Sequence, residues 1–332
     1  MATYLGIHGG KIKNYTTDPD NPNTGEVWYN STANTIKIES ATTAGAWATG
    51  NTMNTARYDG AVSMAGNKSS ALYTGGYAGG IVANVESWNG TSWTETTNTP
   101  TATYAFGGTG ASNTSALIFG GQTPGAPATT ATYEWGGSSW TTGGALNSGQ
   151  RYRRGAGVQT AALAVGGNGG SPSPTAETEQ YNGSNWTEVG DLNTARTAGT
   201  LGGGAQPYTV ALYFGGYPVP SGGAKTELWN GSNWTEVNDL NTARQALGGG
   251  GTQTSALAFG GGVVPPATGD TEIWNGTNWT ETTNMSTARY SVSGAGASSA
   301  SAIVAGGTPP TSSATELWTG AGAPQTKTIS TD

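Results

Sequence analysis

The sequence contains no cysteine, which excludes disulfides, thiolate metal sites and a thiol nucleophile. It holds one histidine, His8, so most zinc and copper sites and any Ser-His-Asp arrangement inside a repeated unit are excluded as well. Charged residues make up only 10% of the chain, against roughly 25% in an average globular protein. The 13 basic and 20 acidic residues leave a net charge of −7. No concentration of Lys and Arg is available to hold phosphates, so no nucleic-acid partner is expected. Leu, Ile, Val and Phe together number 40 of 332 residues, which is low enough for a disordered chain, but the net charge is small and 12 Trp with 14 Tyr supply the missing core volume. Long apolar runs are lacking too. Nothing approaches the ~18 residues that cross a bilayer, so no membrane partner is expected. The first fifteen residues have no signal-peptide run, so the chain is expected to begin at Met1 or Ala2.

What is present is an internal repeat, and its period predicts the architecture. Six apolar segments end in Gly-Gly: ALYTGG at Gly76, ALIFGG at Gly121, ALAVGG at Gly167, ALYFGG at Gly216, ALAFGG at Gly261 and AIVAGG at Gly307. Their spacings are 45, 46, 49, 45 and 46 residues. Each is followed by an aromatic segment, VESWNGTSW, TYEWGGSSW, TEQYNGSNW, TELWNGSNW, TEIWNGTNW and TELWTGAGA in turn. A third series reads MNTAR at Arg57, LNTAR at Arg196 and Arg244, and MSTAR at Arg289. Each unit reads as four short strands: a small-residue strand after the Arg, the apolar strand, a strand ending in an aromatic, and a strand opening with Trp. Asn-Gly between the last two predicts a tight hairpin, because both residues tolerate positive φ. Helical periodicity is absent.

Repeats of this length with four strands each predict an all-β, six-bladed β-propeller. Crowding at the axis favours small side chains, which the Gly, Ala and Ser of the first strands supply. The Gly-Gly, the third-strand aromatic and the fourth-strand Trp resemble kelch repeats over roughly residues 45 to 320, with Trp-Asn-Gly where that family usually has Tyr-Asp-Pro. Fourth-strand Trps fall at Trp93, Trp140, Trp186, Trp234 and Trp279, and the sixth unit lacks one. The orphan copy GAWATGNTMNTAR around Trp47 is therefore expected to give the last blade its outer strand, so that the first and last units expose no unpaired edge. Residues 1–44 read as an extension containing the hairpin EVWYN-STAN-TIKIE, and residues 321–332 as a polar tail. The stretch NTGEVWYNSTANTIKI resembles short β segments of phage tail and virion proteins. That resemblance implies an anchor, with Trp28 and Tyr29 contacting other virion proteins or an identical subunit.

Residues that recur in every unit are expected to specify the scaffold. This applies to the Trp pairs, read as cross-strand contacts rather than sugar platforms, and to nine of the 13 Glu. A glycosidase needs one unlike pair of carboxylates, which a set of equivalents does not provide. Kelch-type copper-radical oxidases need a Cys-Tyr crosslink and His ligands, and neither set exists here. In DPDNPNTG, from Asp18 to Gly25, Pro22 takes the place of a calcium ligand, so the segment reads as a turn. No catalytic residue, metal or cofactor is expected.

Ligand binding is expected instead on the face bearing the connections between second and third strands. These connections hold 10 of the 15 Pro and differ from unit to unit on a constant frame. Arg57, Arg196, Arg244 and Arg289 open onto this face, with Arg151 one residue out of register and Thr103 in the second unit. Resemblance to kelch domains makes these arginines, with Tyr77 and Tyr217 at the start of two connections, candidates for binding carboxylate or sulfate groups. Pairing with the repeated Glu set is the structural alternative for the arginines. The combined reading is a non-enzymatic binding or structural module of a phage virion, in a tail, fibre or capsid-decoration position, assembled in the host cytoplasm and engaging a host-surface glycan. The alternatives are a bacterial carbohydrate-binding, lectin-like propeller at the cell surface or outside the cell, and a glycoside hydrolase.

Overall fold

The computed structural model describes residues 12–19, 25–41, 44–63, 68–169, 173–202, 208–219, 221–263, 266–321 and 324–329. His8 and residues 20–24, the middle of the Asp18–Gly25 segment, lie outside the described residues. Those described form 28 strands and no helix, in seven four-stranded sheets. The chain divides into two compact units, residues 1–45 with 320–332, and Ala46–Thr319.

In the larger unit six sheets repeat one plan, compatible with a β-propeller. The first contains Ala61–Ser63, Ala71–Thr74, Val85–Trp88 and Trp93–Thr96, each strand antiparallel to the one before it. The second runs from Gly107–Ser112 to Trp140–Thr142, the third from Arg154–Val158 to Trp186–Glu188, the fourth from Thr200–Gly202 to Trp234–Val237 and the fifth from Gly248–Thr252 to Trp279–Thr282. The sixth takes three strands from residues 293–319 and its fourth from far upstream. Ala46–Gly50 lies antiparallel to Thr315–Thr319, with Trp47 opposite Trp318. Second strands such as Ala211–Phe214 are buried on both faces, which is why they read as apolar runs rather than alternations. The Asn-Gly hairpins form as their residues require. Asn230 Oδ1 accepts the N–H groups of Ser232 and Asn233 at 3.0 and 2.9 Å, and Gly231 sits at φ +96°.

Two circuits of hydrogen bonds order the six sheets. The inner one joins six residues that precede the first strands, namely Asp59, Ala105, Tyr152, Ala198, Ala246 and Ser291, all with φ between 50° and 56°. Each from Ala105 onward donates its N–H to the carbonyl of the one before, and Asp59 donates to Ser291, so the circuit returns to its first member; the six bonds measure 2.5 to 3.4 Å. A left-handed residue other than Gly costs about 1–2 kcal/mol, and a backbone hydrogen bond contributes about 1 kcal/mol net. The circuit thus does little more than offset its own strain, and its value is geometric. The outer circuit uses the fourth-strand Trp indoles. Trp93 Nε1 donates to Thr315, Trp186 to Thr132, Trp234 to Thr178, Trp279 to Thr226 and Trp47 to Thr271, each time a threonine Oγ1 of the preceding sheet at 2.9–3.1 Å. The first sheet has Val85 at that position, and Trp140 of the second turns to the Thr97 carbonyl at 3.0 Å. Between the circuits, first strands approach backbone to backbone. A Cβ on Gly250 would lie 2.3 Å from the Gly296 nitrogen.

The smaller unit is one sheet in the order Lys13–Tyr15, Val27–Asn30, Thr35–Ala41, Pro324–Ile329. Its hairpin falls where the sequence places it, with Tyr29 opposite Ile36. Two expectations are corrected. The C-terminal residues are not a tail: Pro324–Ile329 pairs antiparallel with Thr35–Ala41, Ile329 opposite Ile36, and so covers what would be a bare strand edge. Trp28 is fully buried, and its indole donates to Asp18 Oδ1 at 3.1 Å, so it offers no surface to a partner. Tyr29 is half-buried, with its hydroxyl donating to Asn34. Asp18 also accepts from Asn30 Nδ2 at 2.7 Å and Lys37 Nζ at 2.6 Å.

Two outcomes follow. Deleting residues 1–50 removes the outer strand of the sixth sheet and should cost the larger unit at least as much as truncating a buried Trp, about 3–5 kcal/mol. Urea unfolding followed by Trp fluorescence measures this, and unchanged stability would contradict the strand's role. The second concerns acid. The Lys37, Asn30 and Trp28 donors hold the Asp18 carboxyl down to about 2, below its ordinary 3.8. Because the folded value lies below the unfolded one, the contribution is complete above about pH 4 and is lost as pH falls through 2. Amide exchange in residues 27–41 should therefore accelerate over that interval, beyond its intrinsic pH trend, and Asp18→Asn should abolish the extra response.

Candidate binding face

The LNTAR motif leads into four of the six sheets, with LNSGQ before the third, and is consumed by the scaffold. Its first residue is buried, as Met53, Leu146, Leu192, Leu240 and Met285. Its Asn donates twice to the third-strand glutamate: Asn193 N and Nδ2 reach Glu227 Oε2 at 2.7 and 2.9 Å, and Asn241 reaches Glu272 likewise at 2.8 and 2.9 Å. The other carboxylate oxygen takes the arginine. Arg57–Glu86, Arg196–Glu227, Arg244–Glu272 and Arg289–Glu316 are paired at 3.1, 2.6, 2.8 and 2.8 Å. Arg244 and Arg289 also donate to two backbone carbonyls each, and Arg196 to three, those of Thr194, Gly215 and Lys225. Arg57 instead lies over the Tyr73 ring at 4.8 Å.

The exposure of these four side chains is at most 1%. Their expected role in ligand binding is therefore corrected. They sit beneath the face, because a buried glutamate needs a buried cation.

Two sheets depart from this plan, each in a compensated way. In the second, Thr103 replaces the arginine and Tyr133 the glutamate, so neither charge is left alone, and a cavity of about 40 Å³ between Thr103, Tyr133 and Phe106 marks the space. In the third, the arginine position is Gln150, and the guanidinium enters from Arg153, which stands where the first and fourth sheets have Gly60 and Gly199. Arg153 is fully buried and pairs with Glu179 at 2.5 Å and with the additional Glu177 at 3.5 Å. Glu177 Oε2 also accepts from Ser148 Oγ and Gln150 Nε2 at 2.5 and 3.1 Å. The additional Glu177 thus helps to position a displaced arginine. Arg151 belongs to neither series and points elsewhere.

Above the buried layer lies a rim built from six isolated antiparallel bridges. They join Tyr58 to Tyr77, Tyr104 to Gln122, Arg151 to Asn168, Thr197 to Tyr217, Gln245 to Gly262 and Tyr290 to Thr308. In each, one residue follows the arginine position and the other follows the Gly-Gly, so both connections meet at one end of every sheet. These twelve positions include five Tyr and one Arg but no Asp or Glu, and they change from sheet to sheet while the layer below repeats. On one side the side chains are continuous. Tyr58 and Tyr77 ring centroids lie 5.4 Å apart, and Tyr77 and Tyr104 lie 6.3 Å apart. The Tyr104 hydroxyl donates to Gln122 Oε1 at 3.1 Å, and Arg151 Nη1 donates to the same oxygen at 2.9 Å. Burial pushes the Tyr58 hydroxyl up, with Asp59, Tyr77 and Tyr290 adding to the effect.

Of the residues singled out in the sequence, the structure brings Tyr77 and Arg151 onto this arc. Tyr217 is 43% exposed on the fourth sheet, opposite Thr197. Tyr58, Tyr104 and Gln122 were not singled out. Their signal is positional: they occupy the variable columns beside the Arg and the Gly-Gly.

Between the first strands lies an open cavity of about 60 Å³, lined by Arg154, Thr200, Ser293 and several glycines. Asp59 adjoins it. Burial pushes its carboxyl up, against hydrogen bonds from Ser291 and Tyr152 and the nearby charge of Arg154. Among the described residues no group of three or more His, Cys, Asp or Glu is placed to hold a metal ion. No protein-family model matches the sequence, and no curated protein matches it significantly.

Removing one member of a buried pair strands the other charge at a cost of about 3–5 kcal/mol, whereas replacing both by apolar groups is often neutral. Arg244→Gln should therefore lower unfolding stability by about that amount. The double replacement Arg244→Met with Glu272→Leu should restore most of it. Equal stability of Arg244→Gln and the parent in urea would show that the pair is not part of the scaffold.

Proposed function

We propose that the chain is a six-bladed, kelch-like β-propeller whose last blade is completed by the Ala46–Gly50 strand, and that it is a non-enzymatic binding module. The propeller reading is supported by the inner and outer circuits, which pass through six sheets in order and return to the first. The observation that carries the binding role is the contrast between layers. The buried Arg, Glu and Asn set repeats, while the rim directly above it changes at every sheet. A constant frame bearing variable surface positions is what recognition requires. Catalysis draws no support from the carboxylates, since the buried glutamates already use both oxygens on Arg and Asn.

The biological setting we infer is a phage virion, with the propeller in a tail, fibre or decoration position. The likeness of residues 23–38 to virion β segments supports this. The smaller unit, rather than Trp28 itself, is then the natural attachment to other virion proteins or to identical subunits, through Tyr29 and the outer strands. A lectin-like protein is the second reading, and the arc of three tyrosines favours it.

Immunogold labelling and quantitative mass spectrometry of purified particles test the setting. The full chain should remain particle-bound through a high-salt wash at a fixed copy number. Recovery only in the soluble fraction would overturn the virion role.

A further inference from the structure

The geometry points to an acidic saccharide as the ligand of the Tyr58–Tyr77–Tyr104–Gln122–Arg151 arc, with Arg151 receiving the sugar carboxylate. This rests on the binding role proposed above and narrows it to one side of the rim.

The charge inventory comes first. Of seven arginines, five are buried and each is matched to a third-strand glutamate. Arg151 and Arg154 form no ion pair among the described residues. Arg154 lines the cavity between the first strands and donates Nε to the Gly199 carbonyl at 2.7 Å. Arg151 stands on the rim, half-buried, with one hydrogen bond to Gln122 and the Tyr152 ring 5.9 Å from its guanidinium carbon. Its Nε is shielded from solvent and has no partner. With the guanidinium held in place through Gln122, its remaining Nη N–H groups are the ones left for a charge-assisted carboxylate contact. No rim Asp or Glu competes for it.

The neighbours select the rest of the ligand. Three tyrosine rings in succession, the first two tilted and the last two edge to face, bring aromatic surface and hydroxyls together, which suits a sugar ring with one C–H face and a polar edge. Gln122 locks the row to the arginine, since its Oε1 accepts from both Tyr104 and Arg151. A peptide-binding surface would offer apolar pockets for Leu, Phe or Trp anchors. The twelve positions of the six rim bridges contain no Leu, Ile, Val, Phe, Met or Trp, and Ile81, bridged to Tyr77 from within the connection, is the one such residue in the further bridges among the described residues. Uronic and sialic acids share the required chemistry, a carboxylate beside a ring of hydroxyls.

The full chain would be titrated calorimetrically with tetragalacturonic acid and with its methyl ester, and in a second arm with 3′-sialyllactose and lactose. The acid should bind more tightly than its neutral counterpart in at least one arm, and that arm identifies the sugar. Arg151→Gln should weaken the acid by about ten- to hundredfold, the equivalent of one charge-assisted contact, and leave the neutral sugar unchanged. Tyr77→Ala should weaken both. Both variants should melt like the parent. The inference is overturned if neither acid is preferred, or if Arg151→Gln keeps the preference. Acid preference in a protein missing from particles would sink the virion setting alone. A particle-bound protein without acid preference would sink this inference alone.

Discussion

The larger unit depends on six backbone hydrogen bonds between six residues held in left-handed conformation. Each bond runs from the residue that turns into one sheet to the equivalent residue of the sheet before it. Each first strand is therefore held close to its neighbour, near enough that only Gly fits at points such as Gly250. The glycine-rich first strands, the low aliphatic content and the use of Trp farther out all follow from that constraint. Where the strands are crowded there is no room for volume, and where they splay the indoles fill it.

The repeated Arg and Glu pairs do a different task. Each holds the segment entering a sheet against that sheet's own third strand, so entry and interior are cross-braced inside one repeat. The second and third sheets show that the brace is chemical rather than a fixed sequence position. One drops both charges together, and the other brings its guanidinium in from three residues further along. Because the brace is buried, residues directly above it are free to vary without threatening the fold. This explains how a rim of tyrosine, glutamine and arginine can sit on so uniform a frame.

The smaller unit uses the same economy at the chain ends. Its third strand is flanked by Val27–Asn30 and by Pro324–Ile329, so segments nearly the whole sequence apart share one sheet. Asp18 gathers three donors from two of its strands and so replaces much of the core that such a small sheet lacks.

The sequence by itself determined everything governed by short spacing. The four-strand period, the Asn-Gly turns, the facing Trp pairs and the need of the sixth unit for the orphan Trp47 are all local patterns repeated until they are unmistakable. It could not place the arginines. A guanidinium after a small residue reads the same whether it turns down to a glutamate some 30 residues on or up to solvent, and only the packed sheet decides between them. Arg151 and Arg153 show this within one segment, the first directed to the rim and the second taking the buried place that neither spacing nor alignment gave it. The same holds for Pro324–Ile329 and for Trp28, whose partners lie far away in sequence or outside any repeat. Tertiary structure settled them because their energies come from long-range pairing and burial, to which local spacing is blind.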